Sequence, residues 1–337
     1  MRAMLFLPVT AALLASLACL GILLSPIGRR LLLDRPNERS LHGRPVSRSG
    51  GLSIAAGVAA CAAVSDAGML HGMGAILAIA AALAFISLLD DVLTLPALVR
   101  LAAHFAGAVA ALALSVGIAE PLLFAVLVLA IAWFANLYNF MDGSDGLAGG
   151  MTVLGFSAYA WVAHGAGHGA LAIASSGIAV AALPFLLANF HPARLFMGDA
   201  GSVPLGFLAG VLGVLGWHDG LWPLWFPVLV FAPFVCDATL TLVKRLARRE
   251  RLWEAHKDHY YQRLVRMGFG HRATAWLEYA AMAVCIATAL LVRTADPELQ
   301  AAALGAAALV LVAIAAWIDA SWTRWRRTRG DSPGAAA

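Results

Sequence analysis

Aspartates are concentrated in three short segments between long apolar runs: LLDDVLTL with Asp90 and Asp91, NLYNFMDGSDGL with Asp142 and Asp145, and NFHPARLFMGDAGS with Asp199. Carboxylates gathered at the ends of apolar spans suit a metal and phosphate site, because magnesium takes carboxylate and phosphate oxygens and neutralises charge on a leaving diphosphate. Asp90 and Asp91 close one such run. A helix C-terminus already carries partial negative charge, so two adjacent carboxylates there are mutually unfavourable without a cation or a proton. They read as a proton acceptor plus a metal-site or phosphate-site residue. A solvated helix end is the alternative.

The segment Asn136-Leu137-Tyr138-Asn139-Phe140-Met141-Asp142-Gly143-Ser144-Asp145-Gly146 brings amide and carboxylate groups into a tight loop, with glycines that allow close backbone approach to a polar ligand. The alternation of Asp142, Ser144 and Gly146 resembles part of a calcium loop. It lacks the DxDxDG-like start and the twelfth-position Glu that an EF-hand needs. Asp199 lies between Gly198 and Gly201, with a helix expected from about Ser202 whose N-terminus would help hold a phosphate. Simple capping of that helix by Asp199 or Ser202 is the alternative. His256 and His259, three apart in HKDH, would share one helix face and contact a diphosphate. An interfacial amphipathic helix with Trp and Tyr at headgroup depth, or a solvated histidine pair, is the alternative for that stretch.

The elements that position these residues follow from composition: 61% hydrophobic, 12% charged and a mean hydropathy of +0.82 describe an integral membrane protein. Runs long enough to span a bilayer fall near 4–25, 50–66, 72–89, 98–117, 120–138, 149–163, 169–188, 202–216, 221–242, 273–292 and 299–318, which predicts an all-α polytopic fold of about eleven transmembrane helices. The first run reads as a retained anchor, because Arg29 and Arg30 follow it directly and Ser16 to Cys19 is a poor lipobox. Lys and Arg fall almost entirely on alternate loops, with only Arg2 and Arg293 on the other side. Cytoplasmic loops carry that excess, which places the N-terminus in the periplasm and the C-terminus in the cytoplasm.

Residues 1–322 therefore read as one polytopic domain and 323–337 as a basic, then disordered, tail. The unusual polar loops 29–49, 90–97, 139–148, 189–201 and 243–272 all face the cytoplasm, while the other face has short connectors such as HGAGH and WHDG. The formal charge of +4 is read as topogenic bias plus attraction to anionic lipid heads, with no nucleic-acid partner. Cys19, Cys61, Cys236 and Cys285 sit in apolar spans as small hydrophobes. Asp237 is an intramembrane carboxylate for which a functional or paired role is the default. His104 lies one turn after Arg100, where both would meet a lipid phosphate. A transporter or lipid flippase is the rival class, but its polar residues would sit near the midplane.

In order and on one face, HGRPVSRSGG (42–51), LLDD (88–91), NLYNFMDGSDGL (136–147), NFHPARLFMGDAGS (189–202) and HKDH (256–259) resemble the polyprenyl-phosphate N-acetylhexosamine-1-phosphate transferases, glycosyltransferase family 4. The resemblance covers most of the chain, from about Arg35 to His271. It implies transfer of a sugar 1-phosphate from a UDP-N-acetylhexosamine to undecaprenyl phosphate, with release of UMP, at a bacterial inner membrane. Carried over residue by residue, it makes Asp199 the magnesium ligand on the donor diphosphate with Asp142 beside it, and manganese a substitute metal. It makes Asp90 the group that deprotonates or orients the lipid phosphate and Asp91 its support. Asn136, Asn139, Asp142, Asn189 and Phe196 match positions that hold the nucleotide, and Arg44, Arg48, His256 and His259 would contact phosphates or sugar. MraY-type members continue their DD pair as DDxxK and carry a triple-histidine run, whereas this chain has Thr94 and the spaced pair His256 and His259. The chain thus looks closer to the WecA and WbpL side, which implies initiation of O-antigen or another surface glycan. The resemblance leaves open the sugar, the displacement mechanism and the oligomeric state.

Overall fold

A computed structural model describes residues 2–34, 45–66, 70, 72–251 and 256–329. Arg44, Arg35 and Arg39, the end of the tail and residues 252–255 lie outside the described residues. The rest is almost wholly helical. α1 (Arg2–Leu23) is followed by a two-stranded antiparallel ribbon, β1 (Leu33–Asp34) and β2 (Val46–Ser47), paired Leu33 to Ser47 and Asp34 to Val46. Then come α2 (Gly51–Val64), α3 (Met73–Leu93), α4 (Ala97–Ser115), α5 (Pro121–Phe140), α6 (Leu147–Gly165), α7 (Gly169–Asn189) and α8 (Asp199–His218). The chain ends with α9 (Trp225–Val230), α10 (Ala232–Ala247), the short α11 (Tyr260–Leu264), α12 (Gly270–Val292) and α13 (Pro297–Thr328).

The expected spans coincide with helices except over 221–242, and among the described residues eight stretches are long and apolar enough to cross a bilayer: α1, α3, α4, α5, α7, α8, the α11–α12 stretch and α13. α2, with 14 residues, rises only about 21 Å at about 1.5 Å per residue. The run read as one span over 221–242 breaks at Phe231, where α9 stops and α10 starts. Pro233 explains the break: its nitrogen has no hydrogen to continue the ladder, and it sits in the first turn of the new helix.

α8 is the axis of the bundle. Its apolar window is 94% buried, against 11% for the peripheral α13. Small residues allow that centrality. A Cβ on Gly51 would stand 2.4 Å from the Gly201 Cα, and one on Gly206 would stand 2.3 Å from the Phe134 carbonyl oxygen, so α2 and α5 press directly onto the α8 backbone. Aromatic rings fill the far side: Tyr138, Tyr159, Phe226, Phe231 and Phe234 are fully buried, and Tyr159 stacks on Trp222 at 4.9 Å. Close contact between small-residue helix faces, rather than water exclusion, is what holds helices together inside lipid. The four cysteines are free, in accord with a role as apolar filler.

Candidate active site

α3 ends in the acidic pair. Thr94 takes a left-handed backbone (φ 53°) that turns the chain back, so that the Leu95 amide donates to Asp90 Oδ1 at 2.7 Å. The other Asp90 oxygen receives Arg100 Nη1 from the first turn of α4 at 3.1 Å. The same Arg100 nitrogen stands 3.9 Å from Asp199 Oδ2. Arg48, on the stretch leading out of β2, completes the bridge from the other side: Nη2 is 3.4 Å from Asp199 Oδ1 and Nη1 is 3.8 Å from Asp91 Oδ1. Two guanidinium groups thus tie together carboxylates from α3 and from the start of α8.

α8 begins at Asp199, three residues ahead of the expected start, and no side chain caps it. Asp199 is therefore free of capping duty, and it accepts from Asn139 Nδ2 at 3.4 Å. Asn139 is itself held by Ser202, whose hydroxyl donates to Asn139 Oδ1 at 3.0 Å. Asp142 reaches the same corner by accepting the Gly198 amide at 3.1 Å. Burial, and next the Asp199 carboxylate, push the Asp142 carboxyl well above its usual range, against the pull of the Gly198 amide and Arg48. Burial works against the charge on Arg48, yet Asp199, Asp91, Asp34 and Asp142 together hold its pKa above the ordinary value. Asp34 on β1 is a further acidic neighbour, with no motif around it in the sequence.

The remaining nucleotide-site candidates are spread around this centre. Asn136 lies one turn deeper in α5 and is 3.1 Å from His104 Nδ1. Asn189 is buried, with both amide atoms engaged by main chain: Oδ1 accepts from Gly146 N at 2.8 Å and Nδ2 donates to Leu195 O at 2.9 Å. It clamps the α5–α6 loop to the α7–α8 loop. The Phe196 main chain bonds Ser47 and Gly50, which lays the stretch before Asp199 against the ribbon and the start of α2. A second clasp, unmarked as a unit in the sequence, joins the same loops: His191 Nδ1 donates to Asp145 Oδ2 at 2.6 Å and its ring stacks on His271 at 5.5 Å.

His256 and His259 do not share a helix face. Both precede α11, which starts at Tyr260, although their rings lie 4.9 Å apart. Residues 256–259 carry no helix, and His259, with φ −57° and ψ 146°, is the N-cap of α11. Burial first, then His259 and Arg245, lower the His256 pKa to about 4. Asp237 is paired rather than isolated, accepting from His259 Nδ1 at 2.9 Å. Tyr261 connects this corner to the rest, its hydroxyl donating to the Phe140 carbonyl at 3.0 Å, two residues before Asp142.

Among the described residues no three His, Cys, Asp or Glu side chains are arranged to hold a metal by themselves. Magnesium commonly uses one or two carboxylates and takes its other ligands from water and substrate phosphates. Asp199 and Asp142 at one corner, with the buried and unpartnered Asp91 Oδ2 nearby, fit that kind of donor set.

The class the structure defines is a mainly helical bundle with membrane-length apolar helices, whose acidic helix ends are joined by two arginines. The glycosyl transferase family 4 pattern matches residues 73–217, which include Asp90, Asp91, Asp142 and Asp199. A probable undecaprenyl-phosphate N-acetylglucosaminyl 1-phosphate transferase from Bacillus subtilis is 30% identical over 280 residues, covering 77% of this chain and 78% of its own. A decaprenyl-phosphate N-acetylglucosaminephosphotransferase from Mycolicibacterium smegmatis is 28% identical over 327 residues, covering 83% and 80%. A phospho-N-acetylmuramoyl-pentapeptide-transferase from Moorella thermoacetica is 44% identical over 95 residues, covering 28% of this chain and 29% of its own. The chain belongs to the polyprenyl-phosphate N-acetylhexosamine-1-phosphate transferases of glycosyl transferase family 4.

Proposed function

We propose that the chain transfers an N-acetylhexosamine 1-phosphate from a UDP-N-acetylhexosamine to undecaprenyl phosphate, giving the lipid diphosphate sugar and UMP, with magnesium, at the cytoplasmic face of a bacterial inner membrane. The observation that carries this reading is the convergence of Asp90, Asp91 and Asp199 on Arg48 and Arg100. An oxygen of the lipid phosphate attacks the phosphorus bonded to the sugar, and the bond from that phosphorus to the bridging oxygen of UMP breaks. Asp90, fixed by Leu95 N and Arg100, takes or orients the proton of the lipid phosphate. Arg100 and Arg48 supply positive charge where two anionic phosphates must approach, the kind of preorganised electrostatic support that lowers phosphoryl-transfer barriers. Asp199 and Asp142 would hold magnesium, which when bound would neutralise charge on the donor diphosphate as UMP leaves. The relatives named for N-acetylglucosamine favour that sugar as the first donor to test, and initiation of O-antigen or another surface glycan is the role we assign.

The test is UMP release by purified protein in detergent, with undecaprenyl phosphate, magnesium and a panel of UDP-N-acetylhexosamines. Release that needs both lipid phosphate and metal supports the reading. Silence across the panel from folded protein contradicts it.

A further inference from the structure

The geometry points to Asp237 as a positioning residue for His259 in this transfer, an inference that rests on His259 meeting the substrate in the proposed reaction. Asp237 lies in α10 and is 5% exposed. A buried carboxylate is tolerated only when donors replace its water. This one has four. Oδ1 accepts from Thr241 Oγ1 at 3.2 Å, from His259 Nδ1 at 2.9 Å and from Tyr260 N at 3.0 Å, and Oδ2 accepts from Tyr261 N at 3.0 Å.

Three of those four donors come from consecutive residues, 259 to 261. The carboxylate therefore fixes the backbone and the ring of His259 with one group. Because Nδ1 carries the proton given to Asp237, the tautomer and the direction of the ring are set, and Nε2 is the atom left to act. No described residue takes that Nε2. The ring is held on its faces as well: Tyr261 stacks on it at 5.8 Å, Phe140 lies at 5.9 Å and His256 at 4.9 Å. Phe140 leads into the loop that bears Asp142, so the direction set by Asp237 is a direction relative to the acidic centre.

A frame of ion pairs holds the far side of the same segment. Arg245, one helix turn beyond Thr241 in α10, is bound to Asp258 at 2.9 Å, and Arg263 of α11 is bound to Asp319 of α13 at 2.8 Å. Asp319 also takes Lys244. α10, α11 and α13 are thereby fixed to one another on that side. Asp237 alone among these carboxylates touches the imidazole.

The experiment compares four variants in the UMP-release assay, each checked for a monodisperse detergent peak and a thermal midpoint. Asp237→Asn puts an amide donor against donors and should lower kcat about tenfold to a hundredfold, the scale seen when the outer partner of a metal-bound histidine is removed. In a His259→Ala background the same substitution should have almost no further effect, because the role of Asp237 runs through that ring. Additive losses, which a purely structural carboxylate would give, overturn the inference. His259→Gln leaves Asp237 intact, places an amide near the Nε2 position and forfeits the anchor, so it should be as slow as His259→Ala even where Asp237→Asn fails to fold. Near-native turnover by His259→Gln, or by His259→Ala, overturns the inference while leaving the transferase reading standing. Absence of UMP release by the unsubstituted protein overturns the transferase reading itself.

Discussion

Arg100 Nη1 lies 3.1 Å from Asp90 Oδ2, a contact that joins the last turn of α3 to the first turn of α4. Because the same nitrogen is 3.9 Å from Asp199, one guanidinium offsets charge on both sides of the site. Arg100→Ala should lower kcat/KM by about 10²- to 10³-fold, the scale of losing one preorganised charge-stabilising donor. Arg100→Lys should recover only part of that, since a point charge replaces a planar fork. Equal kcat/KM for the alanine variant and the parent would show that Arg100 only solvates the helix end.

Gly198 is a position where shape alone should govern activity. Its φ is 75° and a Cβ there would meet the Arg48 carbonyl oxygen at 2.2 Å. Gly198→Ala must displace either the Arg48 backbone or the start of α8, and both carry charged site residues. Strain of about 1–3 kcal/mol and loss of most turnover are expected. Gly220→Ala is the control, for its φ is 72° with nothing near the added carbon, so the thermal midpoint should fall while turnover survives.

Asn189 should matter for stability. Truncating it strands the buried Gly146 amide and the Leu195 carbonyl, at a cost of about 1–3 kcal/mol for each group left unsatisfied. A clear drop in the thermal midpoint of Asn189→Ala in detergent is expected. An unchanged midpoint would mean that the clamp between the two loops is dispensable.

The low pKa of His256 predicts a sign for acid sensitivity. The unfolded chain binds a proton below about 6.5, whereas the folded protein keeps the ring neutral down to about 4. The unfolded state therefore holds more protons inside that window, and stability falls as the pH drops through it. Thermal midpoints between pH 6.5 and 4 should decline less steeply for His256→Gln than for the parent. An identical slope would place the acid-sensitive group elsewhere.

The sequence made the lipid solvent, the positions of the spans and the motif loops legible, because each depends on local apolar length and on residue type. Asp90 and Asp91 at the end of α3, Asn139 and Asp142 at and just past the end of α5, and Asp199 at the start of α8 come from three separate segments, and the structure joins them through Arg48, Arg100, Ser202 and Gly198. The spacing of the histidine pair matches a helical repeat, yet both residues precede α11. What ends that pattern is Asp237, a carboxylate 22 residues earlier that captures the His259 ring and the two amides after it. The clasp of Asp145, His191 and His271 was hidden for the same reason, its members being far apart in the chain. Pro233 did carry a local signal for the break at Phe231, within a run whose hydropathy hid it.

The most direct measurement is UMP release by Asp199→Asn and by the parent across a magnesium titration, with undecaprenyl phosphate and UDP-N-acetylglucosamine supplied and folding checked by thermal midpoint. The account predicts lipid-dependent and metal-dependent release by the parent and none by the variant at any magnesium concentration, with both proteins folded. Full turnover by Asp199→Asn, or release by the parent without lipid phosphate, would contradict it.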